Sequence, residues 1–306
     1  MQERKRVLDD QDFRCYGACE HPFAEMPSLE EWLLYFLEHY VKTNTKPSTY
    51  ANFRSYINSH ICPILGDYLL NEINDAILQT YVNMKHEHGR LDGKGGLSTK
   101  TLREHIMVLK LAFKRAIHLG IVGYDPCRYI EYPREEKKEV RVLSKSNQRK
   151  LSNAISPQFQ NNTLMPALLA MHAGLRIGEV SALKVEDINM EDRLIRIDES
   201  LNRVMTFEQD GSTCCPLIYQ STKSGKVRFV PMNEDLYKAL DTYMNTMPQA
   251  YKRNGNAPLF LTSRETVMEP RRINYHFKKL LNKLNIQDIH FHCLRHPYVK
   301  PTTKNL

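Results

Sequence analysis

The chain has 306 residues, room for about two domains with their own cores, and its 43 Lys+Arg against 35 Asp+Glu leave a formal charge of +8 that favours a polyanionic partner. Its seven cysteines (Cys15, Cys19, Cys62, Cys127, Cys214, Cys215, Cys293) are odd in number and scattered, which excludes a disulfide framework and suits a reducing cytoplasm. No apolar segment follows Met1-Gln2-Glu3-Arg4-Lys5-Arg6, and the longest apolar-rich run, Leu164 to Leu175, is too short to span a bilayer, so the reading is a soluble intracellular protein without a membrane partner.

Residues 1–27 read as an irregular arm. Cys15, Cys19 and His21 supply three soft ligands where a structural zinc takes four, so free thiols are expected there and no metal. Ser28 and Glu31 then form a capping box, and Leu29, Trp32, Leu33, Phe36, Leu37 and Tyr40 follow a helical stripe that places Trp32 in a core. Pro47-Ser48 opens a second helix with Tyr50, Phe53 and Ile57 inward, and Asn74 caps a third that ends near Gly89. Gly93-Lys94-Gly95-Gly96 lacks a preceding strand and the spacing of a phosphate loop, and reads as a connector. Ser98 caps a long helix to Gly120 with Leu102, Ile106, Leu109, Phe113 and Ala116 buried, while Arg103, Lys110 and Lys114 line a neighbouring face. Four helices with a basic edge suit a DNA clamp over residues 28–133, and the charged, proline-led stretch 134–142 reads as a linker.

Residues 143–306 form the second unit. A helix through Leu151 and an apolar one from Leu164 to Ala173 lead to Gly174-Leu175-Arg176, where glycine ends one helix, Ile177 starts the next, and Arg176 projects from the corner with Glu179 at i+3 to hold it. The period then alternates through Leu194, Ile195 and Ile197, Leu201 to Phe207 and Val227 to Val230, with a hairpin signal at Asp210-Gly211, predicting a small antiparallel sheet. Ser221 to Lys226 is a polar turn holding Lys223 or Lys226 on a hairpin tip. A helix from Asn233 to about Met247, a short strand Pro258 to Leu261 and a helix from Pro270 through Leu284 follow. His292 and Arg295 fall on one helical face; two histidines and an arginine make a poor metal site and a good anion site.

The segment Ala173-Gly174-Leu175-Arg176-Ile177-Gly178-Glu179-Val180-Ser181-Ala182-Leu183-Lys184 resembles the first arginine box of the tyrosine recombinase, or phage integrase, family, with Val185 where tryptophan is common. Residues 222–231 are similar to its lysine hairpin and His292-Cys293-Leu294-Arg295-His296 to its second arginine box, in the family's order. The resemblance covers about residues 28–296 and implies a mainly α fold with a small antiparallel sheet (α+β): a four-helix core-binding domain followed by a mixed catalytic domain. It further implies site-specific DNA strand cleavage and rejoining through a 3′-phosphotyrosyl link, without metal or nucleotide cofactor, on double-stranded DNA at a recombination site with self-association on that DNA. In that scheme Arg176 and Arg295 clamp the non-bridging oxygens, Lys223 protonates the departing 5′-oxygen, His292 handles a proton beside the phosphate, and Glu179 orients Arg176.

The chain departs from the family after Arg295. Pro297 and Pro301 oppose the helix the family continues with, and Tyr298 lies too early to match the nucleophile. The expectation is a prematurely ended reading frame lacking its last helices and its nucleophilic tyrosine, with a catalytically inactive DNA-binding remnant or regulator as the alternative. An unrelated helical interaction protein would instead scatter Arg176, Lys223, His292 and Arg295 over the surface.

Overall fold

The computed structural model describes residues 23–135, 143–155, 163–207, 212–222 and 225–295. The chain divides into two compact units, Met1–Lys137 and Lys138–Leu306. The Cys15, Cys19 and His21 arm, most of the linker, the Asp210-Gly211 turn, Lys223 and everything from His296 onward, Tyr298 included, lie outside the described residues.

The first unit is helical. α1 (Leu29–Phe36) starts as its capping box dictates: the Glu31 amide donates to Ser28 Oγ at 3.2 Å and the Ser28 amide to Glu31 Oε2 at 2.9 Å. A wide π turn, Leu37–Val41, then adds a residue to the spiral, so Val41 takes the inward place and the expected Tyr40 is half-buried beneath the Arg115 guanidinium. α2 (Pro47–Tyr56) passes through a second π turn, Ile57–Ile61, into the short α3 (Cys62–Leu65). Pro63 has no amide hydrogen with which to continue the regular ladder, and the wide turn accommodates it while Phe53, Ile57, Ile61 and Leu65 stay buried. α4 (Asp75–His88) is capped by Asn74 and α5 (Thr99–His118) by Ser98. Trp32 is fully buried and its indole N–H donates to the Ala112 carbonyl at 3.2 Å, tying α1 to α5.

The second unit is built around one buried helix. α6 (Lys145–Ile155) precedes α7 (Met165–Ala173), in which every residue except His172 is buried, and α8 (Ile177–Ala182) follows after the corner. Among the described residues seven short strands come next: β1 (Ile188–Asn189), β2 (Leu194–Ile197), β3 (Glu199–Arg203), β4 (Thr206–Phe207), β5 (Thr213–Cys214), β6 (Leu217–Ser221) and β7 (Arg228–Pro231). α9 (Glu234–Asn245), the short α10 (Gln249–Arg253) and α11 (Pro270–Lys283) follow, and the inward Leu240, Phe277, Phe291 and Leu294 share one core with α7.

Three sequence expectations change here. The strands form three small antiparallel sheets, β1-β2-β7, β3-β6 and β4-β5, where one was expected. β6 pairs with β3 and β7 with β2 along the run Leu194 to Arg203, so β6 and β7 do not pair with each other as the two strands of a hairpin. Pro258 to Leu261 is no strand but two isolated bridges, Lys184 to Pro258 and Leu261 to Val267, because these residues meet single partners in loops. No helix among the described residues is long and apolar enough to cross a membrane.

Candidate active site

The corner is made by backbone geometry first. Gly174 adopts the left-handed conformation (φ 65°, ψ 26°) that ends α7, and Leu175 then buries completely. The chain turns extended at Arg176 (φ −75°, ψ 151°), which becomes the N-cap of α8. Arg176 cannot cap with its own side chain, having no acceptor; Glu179 accepts the Arg176 amide at 2.8 Å through Oε2 and the guanidinium Nη1 at 2.8 Å through Oε1. Gly178 lets α8 approach β3, since a Cβ there would stand 2.4 Å from Ser200 Oγ and 3.1 Å from the Leu201 carbonyl. Gly178→Val is therefore expected to destabilise the second unit by about 1–3 kcal/mol, read from urea denaturation; an unchanged midpoint would show that α8 is not held against β3.

The Glu179 side chain is 1 % exposed and carries two cations. Besides Arg176 it receives a forked pair from Arg228, the first residue of β7, with Nη1 to Oε1 at 3.1 Å and Nη2 to Oε2 at 2.6 Å. Burial raises the Glu179 carboxyl, but the bonds from Arg228 and Arg176 outweigh it and hold the group below its ordinary value, so it is charged. Arg295 closes the cluster from a single 3-10 turn, Phe291–Arg295, its Nε donating to the Gly174 carbonyl at 2.8 Å. Burial and the nearby Arg176 and Arg228 push its guanidinium below the ordinary arginine value, although Glu179 opposes them. Three guanidiniums against one carboxylate leave this site with a surplus of two positive charges, half-exposed and aimed at the corner. Such a surplus of planar forks is suited to holding an oxyanion.

The structure brings Arg176, Glu179 and Arg295 together. His292 is exposed and stands three residues before Arg295 in the 3-10 turn, where positions i and i+3 eclipse. Lys223 lies outside the described residues; its neighbours close a turn in which the Gly225 amide donates to Thr222 O at 2.9 Å and Thr222 Oγ1 to Lys226 O at 3.2 Å. Arg103, Lys110 and Lys114 are exposed on α5 in the other unit, Arg103 lying 5.1 Å over the Tyr132 ring. Arg228 is the residue sequence reasoning passed over. It shares the strand face of the buried Val230, and an arginine at inward parity signals a buried acidic partner. Among the described residues no group of three His, Cys, Asp or Glu side chains is placed to hold a metal ion.

Residues 136–299 match the phage integrase family, and residues 28–86 match its N-terminal SAM-like domain. The chain belongs to the phage integrase family. A tyrosine recombinase XerC-like protein of Caldanaerobacter subterraneus subsp. tengcongensis is 25% identical over 274 residues, covering 84% of this chain and 68% of that protein. The Tn1549 transposon integrase in complex with transposon right end DNA superposes with a TM-score of 0.70 at 20% identity, over 89% of this chain and 85% of that one. A lambda integrase tetramer bound to a Holliday junction gives 0.61 at 18% identity, over 88% and 71%. At these identities the two structures establish the fold, mixed α+β with a helical first unit, which is the fold class read from the sequence.

Proposed function

We propose that the chain is a cytoplasmic, site-specific DNA recombinase or integrase that holds the scissile phosphate of its recombination site between Arg176 and Arg295. The observation carrying this reading is the cluster of three guanidiniums around one buried carboxylate, with two positive charges in excess at the Gly174 corner. Relatives named tyrosine recombinase and integrase, and structures of such proteins on DNA as dimers and tetramers, support duplex DNA as the partner and self-association upon it. Lys223 supplies the proton to the departing 5′-oxygen, and His292 handles a proton beside the phosphate. Negative charge grows on the non-bridging oxygens as the phosphodiester is attacked, and fixed guanidiniums stabilise it without reorganising. The exposed row Arg103, Lys110 and Lys114 binds the DNA backbone from the helical unit, and the outward residues Arg271, Arg272, Lys278 and Lys279 of α11 do so from the second. No nucleophile is assigned among the described residues, and Tyr298 follows Arg295 by only three residues in the sequence, so phosphate binding rather than cleavage is what these 306 residues are expected to show by themselves.

The test starts from duplexes selected from a random pool by the 306-residue chain and then nicked as suicide substrates. Affinity is expected to fall steeply with salt, and neutralising Arg103, Lys110 and Lys114 to reduce the logarithmic salt slope by about 3. Binding is expected without a covalent adduct. Salt-insensitive binding overturns the DNA reading, and an adduct lost in Tyr298→Phe makes Tyr298 the nucleophile.

A further inference from the structure

The phosphate clamp uses two arginines, yet the structure holds a third. Arg228 has both terminal nitrogens engaged on Glu179, at 3.1 and 2.6 Å, whereas Arg176 offers only Nη1 to that carboxylate and Arg295 offers only Nε to the Gly174 carbonyl. Among the described residues, then, Arg176 keeps one terminal nitrogen and Arg295 both without a protein partner, whereas both terminal nitrogens of Arg228 are committed to Glu179. A carboxylate that is 1 % exposed retains nearly its full field at close range. If Arg176 were its sole counter-ion, that field would cancel the charge Arg176 presents to a phosphate.

We infer that Arg228 is a positioning residue for the recombination site: it neutralises Glu179 so that the charge of Arg176 remains available to the phosphate, without touching the phosphate itself. The inference rests on the clamp reading above. It also explains the placement of Arg228 in the chain. Arg228 opens β7 directly after the lysine-bearing stretch of residues 222–227, so the same forked pair fixes the downstream end of that stretch to the Gly174 corner.

The test follows the Arg176 and Arg295 Nε–H signals by NMR while inorganic phosphate is titrated into the 306-residue chain. Arg228→Met is expected to weaken phosphate binding about tenfold. Arg228→Lys keeps the charge and is expected to stay within about threefold of the parent, a change of under 1 kcal/mol. Glu179→Gln combined with Arg228→Met removes both charges, restores the surplus of two, and is expected to return to the same threefold window. This double variant leaves no uncompensated buried charge, so it decides the matter even where Arg228→Met does not fold. Affinity unchanged in folded Arg228→Met would show a merely structural role and overturn the inference, leaving the clamp intact provided Arg295→Met still loses phosphate. A double variant that stays weak, or Arg228→Lys as weak as Arg228→Met, would show that the Arg228 fork contacts the anion and overturn it likewise. If phosphate moves neither signal in the parent chain, the clamp reading falls and this inference falls with it.

Discussion

Lowering the pH from 7.5 to 5 is expected to remove about 2 kcal/mol from the stability of the helical unit, and His105 on α5 is the cause. It is fully buried, and burial, together with His60 and Lys85, pushes its imidazole down from 6.5 to about 3. Its Nδ1 meets the Tyr81 hydroxyl at 2.9 Å, while Nε2 finds no hydrogen-bond partner. The rings of Tyr56 and His60 stand 4.9 Å away, and Tyr56 in turn bonds Glu104. In the unfolded chain the imidazole takes up a proton below its ordinary value, whereas in the native core it resists until about 3. Stability is therefore full above about pH 6.5, declines as the pH falls through that window, and stops declining through this group near 3. His60, also lowered by burial and by Lys85, acts in the same direction. Trp32 is the chain's only tryptophan and lies in this unit's core, so its fluorescence during urea denaturation reports this unit. His105→Gln should flatten most of the dependence between pH 7.5 and 5, where few carboxylates titrate. An unchanged slope in that variant would remove His105 as the cause.

The helices were legible because each carries its own chemistry: Ser28 with Glu31, Asn74, Ser98, Asn233 and Pro270 all start helices where the sequence placed them. The strands were less so. Runs of two to five residues set their partners by tertiary contact, and nothing local in Ser221 to Pro231 reveals that β6 and β7 lie end to end along β3 and β2 rather than against each other. The π turns were hidden as well, since one extra residue in the spiral leaves the apolar pattern nearly intact and shows only in the half-exposure of Tyr40. At the site, glycine chemistry and the i+3 carboxylate made the Arg176 corner readable. Arg228 was not, because its partner is 49 residues away and only the parity of β7 points to it.

Arg295→Met is expected to abolish the preference for a charged phosphate over a neutral methylphosphonate at the one position of a selected duplex where a methylphosphonate scan shows that preference for the parent chain. A charge-assisted hydrogen bond to an ionised group contributes about 1.5–3 kcal/mol, or roughly 10–100-fold in affinity. The larger figure applies where the donor is prearranged, and Arg295 is: its Nε is fixed at 2.8 Å on the Gly174 carbonyl, which leaves its two terminal nitrogens for a ligand, near enough to Arg176 to feel its charge. The same bond predicts how the conservative change behaves. A lysine at this position carries the charge but cannot hold the Gly174 carbonyl and present a planar pair at once, so Arg295→Lys should recover only a small part of the preference. Charge alone would restore it in full. The comparison therefore separates an electrostatic surplus from a built clamp, and a preference that survives Arg295→Met would place the scissile phosphate elsewhere than at the Gly174 corner.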